Sequence, residues 1–282
     1  MSTESPVCLD RVREHYDRDP ALEWGRFEAR VQHRIEFMVT MHAIERRLPA
    51  PGAGARVLDA GGGPGRYTIA LAERGYRVTL LDLSPGNVEF ARDRIAEAGA
   101  SVAANVEATC AGTFTDLSAF PDGGFDAVLC LGAALSHVAD ASLRLRALAE
   151  LRRVAKPGAP LLISVQNALA TLRSLVQWPD TWAVDAQGWI DREPANTVKG
   201  SDGLPWVEFL PEEFLTLLAE AGLERERLYG CWGIAAHLPS ENLEALMADE
   251  ERWPLWRRWL LETCDHPSIV GVSGHLIAHA LA

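Results

Sequence analysis

A glycine-rich turn between two apolar runs constrains this chain more than any other feature of its sequence. Residues 56–82 read RVLDAGGGPGRYTIALAERGYRVTLLD: an apolar run, a turn, an amphipathic stretch and a second apolar run. Gly61, Gly63 and Gly65 allow backbone to approach a neighbour that a Cβ would block. The order predicts a strand, a tight turn, a helix and a second, parallel strand.

The same alternation continues beyond this unit. Apolar runs recur at residues 101–108, 125–131 and 159–165, and helix-like stretches separate them. A further helix, a strand near residues 223–232 and a last strand within 274–282 follow later. Strand alternating with helix predicts an α/β fold whose mainly parallel sheet is covered on both faces.

Two regions depart from this alternation. Residues 1–50 carry charges throughout and apolar side chains at helical spacing, which predicts an N-terminal helical cover before an α/β domain at 51–282. A segment rich in Trp and Pro at about 167–207 follows the fifth apolar run and is too long for an ordinary connection. We interpret it as a lid insertion.

Asp82 ends the second apolar run, where a carboxylate can accept hydrogen bonds from both hydroxyls of a ribose. The glycine spacing bears on what the ribose is attached to. A pyrophosphate fingerprint requires a third small residue three positions after the second glycine, and this chain has Arg66 there. The spacing therefore disfavours NAD and FAD.

The turn, together with Asp59 and Asp82, resembles the first motifs of the class I S-adenosylmethionine-dependent methyltransferases of small-molecule type. The resemblance covers roughly residues 56–165. It implies a Rossmann-like, seven-stranded sheet in the order 3-2-1-4-5-7-6 with an antiparallel last strand, and S-adenosyl-L-methionine as cofactor. Asp59 and the backbone of Gly61 and Gly63 would then hold the methionine end, and Asp82 the ribose.

The same resemblance extends to the adenine site and to the cover. Thr113 stands where the family usually has Asp in a G-D-A-x-D-L pattern, and Thr113 and Phe114 would contact the adenine. Tyr16 lies in a segment similar to the family's N-terminal cover and would touch the methionine end. We also assign Leu83 and Leu131, which follow the second and fourth runs, to the cofactor site.

Arg30 and Arg34 lie one turn apart in the same cover segment. They could reach the cofactor carboxylate, although the sequence favours a solvated helix face with ordinary ion pairs.

Methyl transfer to a protonated acceptor requires a general base, and His137 is the residue best placed for it. His137 follows the fourth strand, at the sheet edge where ligands gather in open α/β folds. A packing role beside the cofactor is the alternative.

Aromatic side chains of the insertion could wall the acceptor pocket, or form a packed lid or a dimer contact: Trp178, Trp182, Trp189 and Trp206.

Composition narrows the partners. The chain has 27 basic and 39 acidic residues, a formal charge of -12, which disfavours nucleic acid and anionic membrane surfaces. The five cysteines show no metal-binding spacing, and neither a signal peptide nor a long apolar segment is present. We expect a cytoplasmic enzyme without metal, and a homodimer is possible.

The acceptor expected from these features is a small molecule, with N- or O-methylation favoured and C-methylation possible. Two alternatives stay open at this point. One is an NAD(P)-dependent oxidoreductase on a related sheet, and the other is a non-catalytic S-adenosylmethionine-binding protein.

Overall fold

The computed structural model describes residues 5–174, 197–199 and 204–282. Its strands are β1 (Arg56–Ala60), β2 (Arg77–Asp82), β3 (Val106–Ala111), β4 (Ala127–Cys130), β5 (Pro160–Asn167), β6 (Thr197–Lys199), β7 (Pro205–Phe209), β8 (Glu224–Gly230) and β9 (His275–Leu281). Its α-helices are α1 (Ser5–Arg18), α2 (Pro20–Ala29), α3 (Val31–Arg47), α4 (Arg66–Glu73), α5 (Pro85–Glu97), α6 (Ala100–Ala103), α7 (Ala141–Val154), α8 (Ala168–Ser174), α9 (Pro211–Glu220), α10 (Ser240–Met247), α11 (Arg252–Thr263) and α12 (Pro267–Val270).

The main sheet runs in the order β3-β2-β1-β4-β5-β9-β8. Strands β1 to β5 pair in parallel, whereas β9 is antiparallel both to β5 and to β8. Since β8 and β9 are the sixth and seventh strands of the sequence prediction, the α/β class, the predicted order and the antiparallel last strand are confirmed.

The sheet also contains strands that the sequence did not predict. β6 and β7 form an antiparallel pair, and β7 lies parallel to the end of β5 through Gln166 and Asn167. The third run begins later than predicted, because residues 100–103 form the short helix α6 and β3 starts only at Val106. The last residues of the insertion are thus joined to the central sheet.

The N-terminal helices pack directly on this sheet. The Asp19 side chain accepts a hydrogen bond from the backbone N–H of Leu22 and caps α2, and Pro20 occupies the first turn. In α3, Ile35, Val39 and Ala43 recur every four residues and are fully buried. This face joins the apolar core that also contains side chains of β1, β4 and β9.

A second apolar core lies on the opposite face of the sheet, where α7 and α9 pack. The two cores leave the carboxyl ends of the parallel strands as the natural place for a ligand. None of the helices in the described ranges is long and apolar enough to cross a membrane. The division into a cover at 1–50 and a domain at 51–282 with a lid at about 167–207 stays a prediction.

Candidate functional site

A cleft lies at the carboxyl ends of β1, β2 and β4 and is closed over by α1 and α2. It encloses about 910 Å³ of empty space, its mouth included, a size that suits a nucleoside-sized ligand. The sheet side of the cleft is lined by Gly61, Gly62, Gly63, Pro64, Asp82, Leu83, Ser84, Asn87, Thr113, Phe114, Leu131, Gly132, Ala134, His137 and Val138. The cover side is lined by Leu9, Val12, Arg13, Tyr16, Glu23, Arg26 and Phe27, and Arg66 and Tyr67 complete it.

The glycine turn forms the floor of this cleft. Gly61 has a φ of +78°, and a Cβ there would lie 2.9 Å from the Cβ of Ala134. Its backbone N–H donates to the carbonyl of Leu81, at 2.7 Å, which ties the turn to β2. A side chain at Gly61 would therefore both strain the backbone and fill the cradle.

Asp82 ends β2 and faces the cleft while being 8% exposed. One carboxylate oxygen accepts from the Gly63 N–H at 2.8 Å; the other accepts from the Ser84 N–H at 2.9 Å and from Asn87 Nδ2 at 3.2 Å. Burial raises the pKa of Asp82, and these hydrogen bonds oppose that shift. The carboxylate is thereby held still, with acceptor capacity directed at the cleft.

Asp59 lies beneath the glycine turn, and its predicted role at the methionine end stays a prediction. It is 1% exposed and does not line the cleft; Thr68 Oγ1 donates to its Oδ2 at 2.7 Å. A Cβ at Gly62 would lie 2.7 Å from that Oδ2, so the carboxylate sits directly beneath the turn. Burial raises the pKa of Asp59 to about 6, and Asp82 adds to the shift. In this structure Asp59 supports the turn from below.

The cover is fastened to the cleft by two groups of polar contacts. Asp17 Oδ1 accepts from Ser84 Oγ at 2.5 Å and from the Gly86 N–H at 2.9 Å, which joins the end of α1 to the start of α5. Arg66, the first residue of α4, donates to the carbonyl of Trp24 at 2.6 Å and stacks on its ring at 3.8 Å. The residue used above to disfavour a dinucleotide therefore holds α2 over the turn.

The structure brings Tyr16 and His137 together. The Tyr16 hydroxyl lies 2.8 Å from His137 Nε2, and His137 Nδ1 lies 3.3 Å from the carbonyl oxygen of Pro205. The ring of Trp206 is 4.1 Å from the imidazole, centre to centre. Both predicted site residues thus line the cleft, 121 positions apart in the chain, and β7 contacts them from the other side.

The short 3-10 turn that presents His137 (Ala134–His137) is fixed by β5. Ala133 adopts a left-handed conformation with a φ of +58°, which is strained for a residue with a Cβ. Ser164 Oγ accepts from the Ala133 N–H at 2.8 Å, and Ser136 Oγ accepts from the Gln166 N–H at 2.9 Å. Two serines thereby stabilise the backbone that aims the imidazole.

The residues assigned to the adenine site also line the cleft. Leu83, Thr113, Phe114 and Leu131 lie along its sheet side. Thr113 Oγ1 accepts from the Thr115 N–H at 3.2 Å and lies 2.9 Å from Thr115 Oγ1, so its hydroxyl is engaged locally. This side of the cleft provides apolar walls and a hydroxyl in place of the carboxylate usual in the family.

The two arginines considered in the cover have the surroundings expected of a solvated helix face with ordinary ion pairs. Arg30 is exposed and absent from the cleft lining, and Arg34 pairs with Glu244 of α10. Arg26 lies in the cleft instead, where its Nε donates to Glu23 at 2.8 Å. The signal that could have found this pair is its spacing of three residues on one face of α2, next to the buried Phe27.

The structure describes only one of the four tryptophans that were predicted to line an acceptor pocket. Trp178, Trp182 and Trp189 lie outside the described residues, and only Trp206 can be placed. Among the residues that the structure describes, no three His, Cys, Asp or Glu side chains are grouped so that they could hold a metal ion. Trp206 does not line the cleft itself; it contacts His137, which does.

The cleft fits a nucleoside that carries an amino acid. A buried carboxylate at the end of β2, a turn without side chains beside it and an Arg–Glu pair on the cover side are the groups that a ribose and a zwitterionic chain require. Each of these features suits a zwitterion at least as well as a diphosphate.

Comparisons with known proteins agree with this geometry. The model of the family described as "Methyltransferase domain" matches residues 57–158. The ubiquinone biosynthesis O-methyltransferase of Xanthomonas axonopodis pv. citri is 35% identical over 209 residues, 72% of this chain and 78% of that protein. The corresponding protein of Xanthomonas euvesicatoria pv. vesicatoria matches with the same identity and coverage.

Solved structures share the fold at lower identity. The 1,6-didemethyltoxoflavin-N1-methyltransferase of Burkholderia thailandensis is 17% identical, with a TM-score of 0.57, over 100% of this chain and 90% of that chain. An S-adenosylmethionine-dependent methyltransferase of Methanosarcina mazei is 18% identical, with a TM-score of 0.55, over 85% and 96%. Neither alternative raised by the sequence finds support in these comparisons. The chain belongs to the class I S-adenosylmethionine-dependent methyltransferases that act on small molecules, and S-adenosyl-L-methionine is its cofactor.

Proposed function

We propose that the protein methylates a hydroxyl oxygen of a small, planar acceptor and that His137 accepts the hydroxyl proton. The observation behind this proposal is the contact of His137 Nδ1 with the Pro205 carbonyl. Because a carbonyl only accepts hydrogen bonds, the ring hydrogen is on Nδ1, and the lone pair of Nε2 accepts from the Tyr16 hydroxyl at 2.8 Å. The acceptor hydroxyl takes the place of the Tyr16 hydroxyl at Nε2 when the substrate binds. Nε2 is the atom that receives the proton.

The choice of oxygen rests on that lone pair and on the relatives. A hydroxyl arrives with its proton and needs a base, whereas a thioether or a neutral amine does not. The relatives that are 35% identical are named for O-methylation. The ring of Trp206 beside the imidazole offers a flat apolar surface, which favours an acceptor with an aromatic ring.

The residues of the sheet side are proposed to hold the cofactor, which supplies the methyl group from its sulfonium. Asp82 accepts hydrogen bonds from the ribose hydroxyls, and the backbone of Gly61 and Gly63 contacts the methionine end, with Asp59 supporting the turn from below. The adenine lies between apolar walls at Leu83, Phe114 and Leu131, with Thr113 available as a hydroxyl partner.

The residues of the cover are proposed to hold the zwitterionic end. Arg26 binds the carboxylate and Glu23 the amino group, because the two side chains present one positive and one negative charge to the same part of the cleft. Tyr16 closes the cleft above the methionine end. By covering the reacting atoms, α1 and α2 exclude water from them.

Replacing His137 with Gln tests the base. Gln keeps a polar side chain but cannot accept the proton, so we expect kcat to fall by about 100-fold or more, while the affinity for S-adenosylhomocysteine stays unchanged. The rise of kcat with pH should also disappear. His237→Gln, a change at an exposed histidine outside the cleft, is the matched control. An unaltered pH profile in His137→Gln would reject the role.

The accepting atom is tested separately with labelled methyl donor and two acceptor panels. Catechols and simple phenols should be methylated on oxygen, and benzylamine and histamine should remain unmodified. Methylation confined to the amines would overturn the proposed acceptor class and leave the cofactor site untouched. A dimeric state, the absence of nucleic acid partners, a cytoplasmic location and pocket roles for the insertion tryptophans are kept as predictions.

A further inference from the structure

We propose that Glu36 of α3 is a positioning residue for the cofactor: it holds Arg26 in the orientation in which its guanidinium binds the methionine carboxylate. This inference rests on the role proposed above for Arg26. It adds a residue that does not line the cleft.

Glu36 is a buried carboxylate at the meeting point of three elements. It is 2% exposed; its Oε2 lies 3.2 Å from His33 Nδ1 and 3.6 Å from Arg26 Nη1, and its Oε1 lies 3.1 Å from His275 Nδ1. The cluster therefore links α2, α3 and β9. His275 is 239 positions away from Glu36 in the chain.

The hydrogen positions in this cluster follow from the chemistry of its members. An ionised carboxylate only accepts hydrogen bonds, so both His33 and His275 donate to Glu36 from Nδ1. The guanidinium of Arg26 also only donates, and its Nη1 points at the same carboxylate. Both oxygens of Glu36 are thus engaged by fixed donors, which leaves the carboxylate a single orientation.

The charges around Glu36 keep it ionised. The neighbouring His275, Arg26 and His33 hold the pKa of Glu36 well below its ordinary value despite its burial. Glu36 in turn raises the pKa of Arg26, of Tyr67 and of the Cys231 thiol. The titratable groups that face the carboxylate are Glu23, Arg26, His33, Tyr67, Cys231 and His275.

Arg26 needs such an anchor because Glu23 alone would not fix it. Glu23 is 26% exposed and sits on the same helix, so it can move together with Arg26. Glu36 holds the guanidinium from the core side, and the ring of Phe27 lies 4.4 Å from the guanidinium carbon. In the part of the chain that the structure describes, Nη2 of Arg26 makes no hydrogen bond, and it remains for a carboxylate.

A preorganised guanidinium loses less side-chain freedom when the ligand binds, so its position contributes to affinity. The contribution applies only to ligands that carry the carboxylate. S-adenosylhomocysteine and 5′-methylthioadenosine share the adenosine, and the second lacks the amino acid end. The ratio of their affinities therefore reports on the groups that hold the amino acid end, Arg26 and its anchor among them.

The experiment measures both ligands by calorimetry on the full chain carrying Glu36→Gln. Gln has nearly the same shape, but it lacks the negative charge that attracts Arg26, and its amide N–H₂ replaces one acceptor oxygen with a donor that faces other donors. We expect S-adenosylhomocysteine to bind about tenfold more weakly and 5′-methylthioadenosine to bind as it does to the unchanged protein. In the Arg26→Gln background, Glu36→Gln should have no further effect on either ligand.

The outcomes separate the two levels of the proposal. If Arg26→Gln lowers the affinity for neither ligand, the carboxylate role of Arg26 is wrong. If Arg26→Gln is selective but Glu36→Gln weakens both ligands equally, or neither, Arg26 binds the carboxylate without help from Glu36 and the inference fails. Tighter binding of S-adenosylhomocysteine by Glu36→Gln also overturns it, since Glu36 would then compete for Arg26.

A second pair of variants covers the case in which Glu36→Gln does not fold. His275→Asn keeps a donor close to the position of Nδ1 and should preserve the affinity ratio, whereas His275→Leu removes the donor and should lower it. Equal ratios in the two variants would contradict the proposal. Circular dichroism and thermal melting of each variant identify those that are folded before binding is measured.

Discussion

Where the cleft is walled by the sheet, between Gly61 and Asp82, a ligand meets backbone amides and one immobile carboxylate; where it is walled by α1 and α2, it meets long charged and aromatic side chains. The sheet wall is assembled from strands that are neighbours both in sequence and in space. The cover wall depends on partners from β9 and α5.

This difference teaches which part of the site is rigid without the ligand. Asp82 accepts three hydrogen bonds from groups within 20 residues of itself, so its position follows from local folding. Arg26 is oriented by Glu23 and, from the core, by Glu36. We therefore expect changes in the sheet wall to abolish cofactor binding and changes in the cover wall to weaken it by degrees.

The largest effect is expected from Asp82→Ala. The variant loses two hydrogen bonds from the ribose hydroxyls to a charged acceptor, together worth about 3 to 6 kcal/mol, so binding should weaken by about 100-fold or more. Calorimetry with S-adenosylhomocysteine measures the loss. Asp93→Ala, at an exposed position of α5, is the control and should bind normally. Unchanged affinity of Asp82→Ala for S-adenosylhomocysteine would show that the sheet wall does not bind the cofactor.

The next effect concerns stability, and it distinguishes the two aspartates of the sheet wall. Burial raises the pKa of Asp59 to about 6, so the folded protein binds a proton more tightly there than the unfolded chain does. Stability of the unchanged protein therefore falls as the pH rises through about 4 to 6 and is lowest, in this respect, above pH 7. Asp59→Asn removes this dependence.

We expect Asp59→Asn without cofactor to gain up to about 3 kcal/mol in the free energy of unfolding at pH 8, and little at pH 4.5. Urea denaturation at the two pH values measures the difference. If Asp59→Asn is equally destabilised at both pH values, the charge of the Asp59 carboxylate stabilises the turn and does not destabilise it.

The smallest of the three effects is expected from the cover. Asp17→Ala removes the acceptor for Ser84 Oγ and the Gly86 N–H at a partly exposed site, so α1 should detach more readily and cofactor affinity should fall by about tenfold. Stopped-flow measurements should show faster dissociation of S-adenosylhomocysteine. Glu14→Ala, on an exposed part of α1, should leave that rate unchanged. If Asp17→Ala weakened binding as much as Asp82→Ala does, the cover wall would be as important for cofactor affinity as the sheet wall.

The sequence predicted the sheet wall because its geometry is periodic and local. The strands, the turn at Gly61 and the position of Asp82 at the end of β2 follow from apolar runs and glycine spacing, whereas the strand order was implied by the family resemblance. The cofactor role of Asp59 stays a prediction, since a strand end fixes where the backbone goes but not which side chain faces the ligand. Alternation along β1 places Asp59 beneath the turn.

The cover could not be predicted in the same way. Tyr16 and His137 were each selected for good reasons, yet nothing in the sequence indicates that they contact one another. Which arginine of the cover lines the cleft depends on how α2 is rotated, and Arg66 and the cluster at Glu36 contact that helix. Such tertiary contacts leave no periodic signal.

Gly86 gives the fastening of α1 an evolutionary consequence. A Cβ at this position would lie 3.2 Å from Asp17 Oδ1 and 3.3 Å from the Asp17 backbone, closer than such atoms normally approach. Any larger residue at 86 would push α1 outward, unless position 17 changed in the same lineage. Homologues should therefore vary at positions 17 and 86 together. A homologue with only one of the two changes would keep its fold but bind the methyl donor more weakly.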